Sequence, residues 1–181
     1  MWKSMTDRYG SVAVTIHWLS AIVTVVALLS GFRAAHAIDE ATRAELLRTH
    51  IPAAIIVLLL TLLRMVWWLL VDQKPQPAAG MPRWQAWSAR AVHIGFYVII
   101  LGMVASGIGM LLRSGAGPAV FSEMPAHLPN FHASRASIPH GIGARVLLAL
   151  LATHVGAALY HHFIRRDGLI WRMSYASSRI K

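Results

Sequence analysis

Apolar residues in this chain come in four long, nearly unbroken runs separated by shorter polar stretches. The runs lie at about 12–32, 49–71, 87–112 and 139–164. Each matches the roughly 20 residues that a helix needs to cross a hydrocarbon core. Closed β-barrels also span membranes, but their strands are short and alternate apolar with polar positions. These runs do not alternate. The pattern predicts an all-α membrane protein, a bundle of four transmembrane helices making one domain over residues 1–181. Three loops join them: a polar one at 33–48, a Pro-rich one, "DQKPQPAAGMPRW" (72–84), and a Gly/Pro-containing one at 113–138.

Composition agrees with a lipid solvent. The chain is 56% hydrophobic and 13% charged, against about 25% charged in a soluble domain. A net charge of +10 raises the question of nucleic acid. The basic residues, however, gather at the ends of apolar runs, where membrane topology places them, and form no stripe with interleaved aromatics. No nucleic-acid partner is expected. The absence of cysteine removes disulfides, iron–sulfur clusters, thiolate metal sites and covalent haem attachment.

Lys3 and Arg8 precede the first run, and "AHA" at 35–37 follows it, imitating a cleavable leader. Leader cores are roughly 7–15 residues long; this run is longer and predicts a retained helix. With both termini on one side, that side and the 72–90 segment hold ten Lys and Arg. The opposite side holds five: Arg33, Arg43, Arg48, Arg113 and Arg135. The excess places both termini in the cytoplasm. Trp67, Trp68, Trp84, Trp87 and Trp171 then fall near the inner interface, where an aromatic belt belongs.

Histidines are the unusual polar residues within the runs. His17 sits in "TIHWLS" near the inner end of the first helix. His50 lies near the outer end of the second, and His140 and His154 lie on the fourth. Fourteen residues separate His140 from His154, nearly four turns and about 21 Å, so both fall close to one face. By depth, His50 partners His140 and His17 partners His154. His93 on the third helix lies at about the depth of His17 and can take the place of either inner histidine. A lone intramembrane histidine can simply hydrogen-bond a neighbouring helix; pairing by depth sets these apart.

Two histidines facing one another across a bundle suit haem iron, which takes an axial ligand on each face of a flat ring. Zinc usually wants four ligands. With no cysteine, and no Asp or Glu expected within a span, two bis-His b-type haems fit better than metal ions. Arg64 and Arg145 are also expected within spans, where an unpaired cation is costly; haem propionates supply anionic partners. The alternative is that both line a small wet gap. Small residues such as Gly102, Gly107, Gly143 and Gly156 allow close helix approach or room for a macrocycle. His36, His127 and His132 fall in outer loops and read as solvated surface.

Four segments together carry a resemblance: "RYGSVAVTIHWLSA" (8–21), His50, "VHIGFYVII" (92–100), and "PHGIGARVLLALLATHVGAALYHHFIRRDGLIWRM" (139–173). They resemble the bacterial cytochrome b561 family, small four-helix di-haem cytochromes of the inner (plasma) membrane. The resemblance implies His17, His50, His140 and His154 as haem ligands and places His161 at a quinone-binding position. It departs most in the outer loops, which would meet the electron donor.

Bis-His iron has no open coordination position and suits electron transfer. Two haems about 21 Å apart cover most of a core of about 30 Å. The expected function is transmembrane electron transfer between a periplasmic redox partner and membrane ubiquinone. His161, seven residues after His154, can hydrogen-bond a quinone carbonyl and deliver a proton, with Trp18 as its helix 1 neighbour. Some proteins that resemble this chain oxidise superoxide while reducing ubiquinone. The five outer arginines can steer such an anion inward, although Asp39, Glu40, Glu45 and Glu123 dilute the field. Two alternatives stay open: a haem b membrane subunit serving a separate periplasmic oxidoreductase, and a non-haem transporter using the same histidines.

Overall fold

The computed structural model describes residues 1–77, 80–121 and 127–175, except for the His132 side chain. Glu123, Arg179 and Lys181, which entered the charge count, lie outside the described residues. Among the described residues every regular element is a helix. The long ones are α1 (Ser11–Ala35), α2 (Glu40–Val66), α3 (Arg83–Ser114) and α5 (Ser137–Tyr160), with a short α4 (Ala116–Phe121). One wide turn extends α2 through Trp67–Val71, and another extends α5 through His161–Arg165. Four segments are long and apolar enough to cross a membrane: Ser11–Ala35, Glu40–Val71, Arg83–Ser114 and Ser137–Arg165.

The second span starts at Glu40, well before the expected position near 49. Asp39 sets the new start: its carboxylate accepts the Thr42 N–H at 2.7 Å, satisfying a donor that the first turn leaves free. "EATRAELLR" then consists mostly of good helix formers. Glu40 and Glu45 therefore belong to a helix rather than to a loop. At 1.5 Å per residue the 32-residue span is about 48 Å long, longer than a hydrocarbon core of about 30 Å requires. The expected loop at 113–138 likewise contains α4. Ala116, Val120 and Leu128 bury against Ala44 on the N-terminal extension of α2, and Arg48 donates Nε–H to the Val120 carbonyl at 2.6 Å.

α1 packs along α2, and α3 along α5; the two pairs touch one another much less than each touches internally. Apolar side chains such as Leu59, Val98, Ile142 and Phe163 are exposed, which gives the bundle the outward face that lipid requires. His17 and Arg64 of one helix pair meet His154 of the other at the seam between the pairs, and His50 meets His140 there; that seam holds the site.

Candidate functional site

Each helix contributes histidine to the seam. His50 (α2) and His140 (α5) stand with ring centroids 6.1 Å apart and planes at 82°. His17 (α1) and His154 (α5) stand at the same 6.1 Å, with planes at 61°. The fold thus brings together the partners that depth suggested, at two levels of α5. His93 (α3) also reaches the lower level, with its ring 5.5 Å from that of His154, and Phe96 packs at 5.7 Å.

The ring nitrogens of the upper pair are assigned by their partners. His50 Nδ1 lies 2.8 Å from the Ala27 carbonyl, and His140 Nδ1 lies 3.0 Å from the Met103 carbonyl. A carbonyl only accepts, so both Nδ1 atoms carry hydrogen and both Nε2 atoms keep a lone pair. Ser106 Oγ, 3.1 Å from His140 Nδ1, braces the same ring. The lower pair differs. Arg64 Nη1 stands 3.2 Å from His17 Nδ1; a guanidinium only donates, so this Nδ1 accepts.

A metal centred between two imidazoles needs about 2 Å to each nitrogen, and about 1 Å more reaches each ring centre, so the centroids must stand roughly 6 Å apart. Both pairs meet that separation. Two glycines keep the upper rings unobstructed. A Cβ on Gly31 would come within 2.7 Å of His50 Cε1, and one on Gly107 within 3.3 Å of His140 Cε1. Among the described residues no group of three or more His, Asp or Glu converges as a metal-ion site. The donor set is therefore two facing imidazole pairs, which suits a planar iron macrocycle and not a tetrahedral ion.

A family profile for prokaryotic cytochrome b561 matches residues 8–175. The chain belongs to that family. Membership implies a b-type haem and a role in transmembrane electron transfer. The cytochrome is 27% identical to cytochrome b561 homolog 1 of Escherichia coli K12, over 92% of this chain and 97% of that protein. It is 26% identical to cytochrome b561 homolog 2 of the same organism, over 95% and 94%. A Yersinia pestis protein named "Probable superoxide oxidase CybB" is 25% identical over 93% and 97%.

Arg145, Trp18 and His161 are the other residues that the sequence marked as candidates for the site. Arg145 is exposed and reaches back along its own helix, donating to the Gly141 carbonyl at 2.9 Å, which brings its guanidinium to the level beside His140. Trp18 is half exposed, and its indole N–H donates to the Met173 carbonyl at 2.9 Å. It therefore ties the C-terminal segment to α1. His161 is buried, and its Nδ1 hydrogen-bonds Asp167 Oδ2.

Three segments cover the end of the bundle that carries the N-terminal segment and the C-terminal tail. Ser4 donates its N–H and its hydroxyl to the Asp72 carboxylate, and Trp67 Nε1 adds a third donor at 3.2 Å. Arg172 donates to the carbonyls of Asp7 and Gln76 at 2.6 and 2.7 Å. Burial pushes the Asp72 carboxyl upward, but hydrogen bonds from Ser4, Gln73 and Trp67 outweigh it and hold the group below its ordinary 3.8.

Sequence reasoning did not single out Gly31, Asp72 or Asp167. Gly31 lies in an apolar run where nothing marks it as a neighbour of His50. Asp167 lies in "RRDG", whose Asp-Gly pair signals a turn but says nothing of the histidine it meets.

Proposed function

We propose that the chain carries two b-type haems and passes electrons across the bacterial inner membrane to ubiquinone. His50 and His140 would hold the outer haem, and His17 and His154 the inner one. The observation that carries this reading is the repeat of one imidazole separation, 6.1 Å, at two levels of α5. The haems supply reversible one-electron chemistry when bound. The protein holds and spaces them. Ala27 and Met103 carbonyls fix the outer imidazoles through Nδ1, and this raises the basicity of Nε2. Arg64 and Arg145 offer positive charge to propionates. Binding at the inner level requires Arg64 to release His17 Nδ1, so that His17 Nε2 gains its lone pair.

Quinone is reduced at the inner end, beside His161 and the Trp18–Met173 contact. Cytoplasmic placement of that end follows from the lysines and arginines of both termini. Superoxide is the donor we favour at the outer end, supported by the name of the Yersinia pestis relative. A cavity of about 400 Å³ there is lined by Arg113 and Arg135, which suits a small anion.

The test has two stages. Protein purified with haem available should show a Soret band and two haems per chain; its absence ends the cytochrome proposal for this site. Oxidised protein is then mixed with superoxide in stopped flow, with and without ubiquinone. Haem reduction within milliseconds, relieved by ubiquinone, is expected. Haems that stay oxidised rule superoxide out and leave a periplasmic redox protein as the donor.

A further inference from the structure

The turn that leaves α5 has an unusual backbone. Arg166 adopts φ 52°, the only positive φ of a non-glycine residue among those described, and Gly168 follows at φ 71°. Left-handed geometry at a side-chain-bearing residue is disfavoured and persists where the surroundings impose it. Here the two left-handed residues flank Asp167 and fold it back onto the helix just completed. Its Oδ1 accepts the Leu169 N–H at 3.1 Å, and its Oδ2 meets His161 Nδ1 at 2.5 Å. The His161 side chain is 11% accessible and that of Asp167 26%.

On its other side, Asp167 lines a cavity of about 550 Å³ between the N-terminal segment and the C-terminal tail. Its charged and titratable lining comprises Lys3, Asp7, Arg8 and Tyr9 from the first segment. Arg172 and Tyr175 come from the tail, and Arg165 acts on Asp167 from the same turn. Burial raises the Asp167 carboxyl, but the His161 hydrogen bond, the Leu169 N–H and Arg165 bring it below its ordinary value. The group is thus an ionised acceptor with one face toward water and one toward a buried imidazole.

We propose that Asp167 is the positioning residue for proton delivery by His161: its carboxylate holds Nδ1–H, presents Nε2 to the quinone carbonyl and stabilises the imidazolium that gives up the proton. This inference rests on the quinone reading above. Ubiquinone becomes ubiquinol by gaining two electrons and two protons, one proton for each electron arriving from the inner level. In each transfer the Nε2–H bond breaks and an O–H bond forms on the quinone oxygen. The imidazole is left neutral, with Nδ1–H still on Asp167, and water from the inner side restores the Nε2 proton. A residue that stabilises the charged donor in this way extends activity to higher pH.

The test uses the full-length holoprotein in detergent or nanodiscs and follows ubiquinone reduction from pH 5.5 to 9. Asp167→Asn keeps an oxygen that can accept from Nδ1–H but removes the charge. Haem content should stay at the wild-type level, while the rate profile moves to lower pH. Asp167→Glu restores the charge and should recover most of that shift. A purely structural role predicts one rate change at every pH, and a D167N profile parallel to wild type overturns the inference. If D167N does not retain haem, Asp167→Ser takes its place as the uncharged variant, with the same downward move of the profile's midpoint expected; an unmoved midpoint is again fatal. His161→Ala separates the two levels of argument. Slowing of about 100-fold with an unshifted D167N profile rejects Asp167 alone, whereas an unchanged H161A rate rejects the quinone site itself.

Discussion

His50 and His140 face each other at 6.1 Å with both Nδ1 atoms turned away, onto carbonyls of α1 and α3. The two Nε2 lone pairs are therefore available to a shared metal. His50→Ala or His140→Ala should reduce haem content from two equivalents to one, losing the outer haem's redox transition and sparing the inner. His17→Ala or His154→Ala should do the reverse. His93→Ala should keep both equivalents, since His93 is read as a neighbour of the inner pair. Pyridine haemochrome quantification with redox titration reads all five variants, and loss of a full equivalent in the His93 variant refutes the inner assignment.

Gly31 tests the space beside the upper pair. A methyl group there would sit 2.7 Å from His50 Cε1, inside van der Waals contact, so His50 or α1 must move. Overpacking of this kind costs about 1–3 kcal/mol. Gly31→Ala should lower outer haem occupancy or broaden its optical band, with the inner haem unchanged. Full occupancy with a native spectrum shows that the contact relaxes freely.

Arg64 is the cation nearest the inner pair, 3.2 Å from His17. A positive charge beside a haem favours its reduced form, which carries one positive charge fewer. Arg64→Leu should therefore lower the inner haem potential by on the order of tens of millivolts. The outer potential should hold, because the two levels of α5 are about 21 Å apart along the helix. Equal shifts in both potentials indicate a general disturbance of the bundle rather than a local charge.

The spans were legible because a membrane imposes length and polarity rules on each of them separately. The histidine levels were legible too, since helical rise converts the spacing of His140 and His154 into depth. The start of α2 was not, because hydropathy ends near Thr49 while the backbone continues to the Asp39 cap. Contacts between distant segments were also hidden. Gly31 meets His50 across two helices, and Trp18 meets Met173 from opposite ends of the chain. Such contacts depend on how the helix pairs align, which no local pattern encodes. His93 stays ambiguous by sequence and by distance alike, because it shares both depth and ring contact with His154.

Asp72 makes the inner covering sensitive to acid. Its folded carboxyl lies below the ordinary 3.8 because Ser4, Gln73 and Trp67 hydrogen-bond the ionised form. A depressed folded value means that the contribution is complete above the ordinary value and is lost as pH falls below 3.8 through the folded one. The N-terminal segment should then detach while the membrane-embedded helices persist. Hydrogen exchange of residues 2–10 in nanodiscs, followed from about pH 6 downward through 3.8, should show protection declining once pH falls below the ordinary carboxyl value. Asp72→Asn removes the titrating group, so its exchange should be faster at about pH 6 and nearly independent of pH after correction for intrinsic rates. Wild-type protection that survives acid assigns the anchoring of this segment to Arg172 instead, through its bonds to the carbonyls of Asp7 and Gln76.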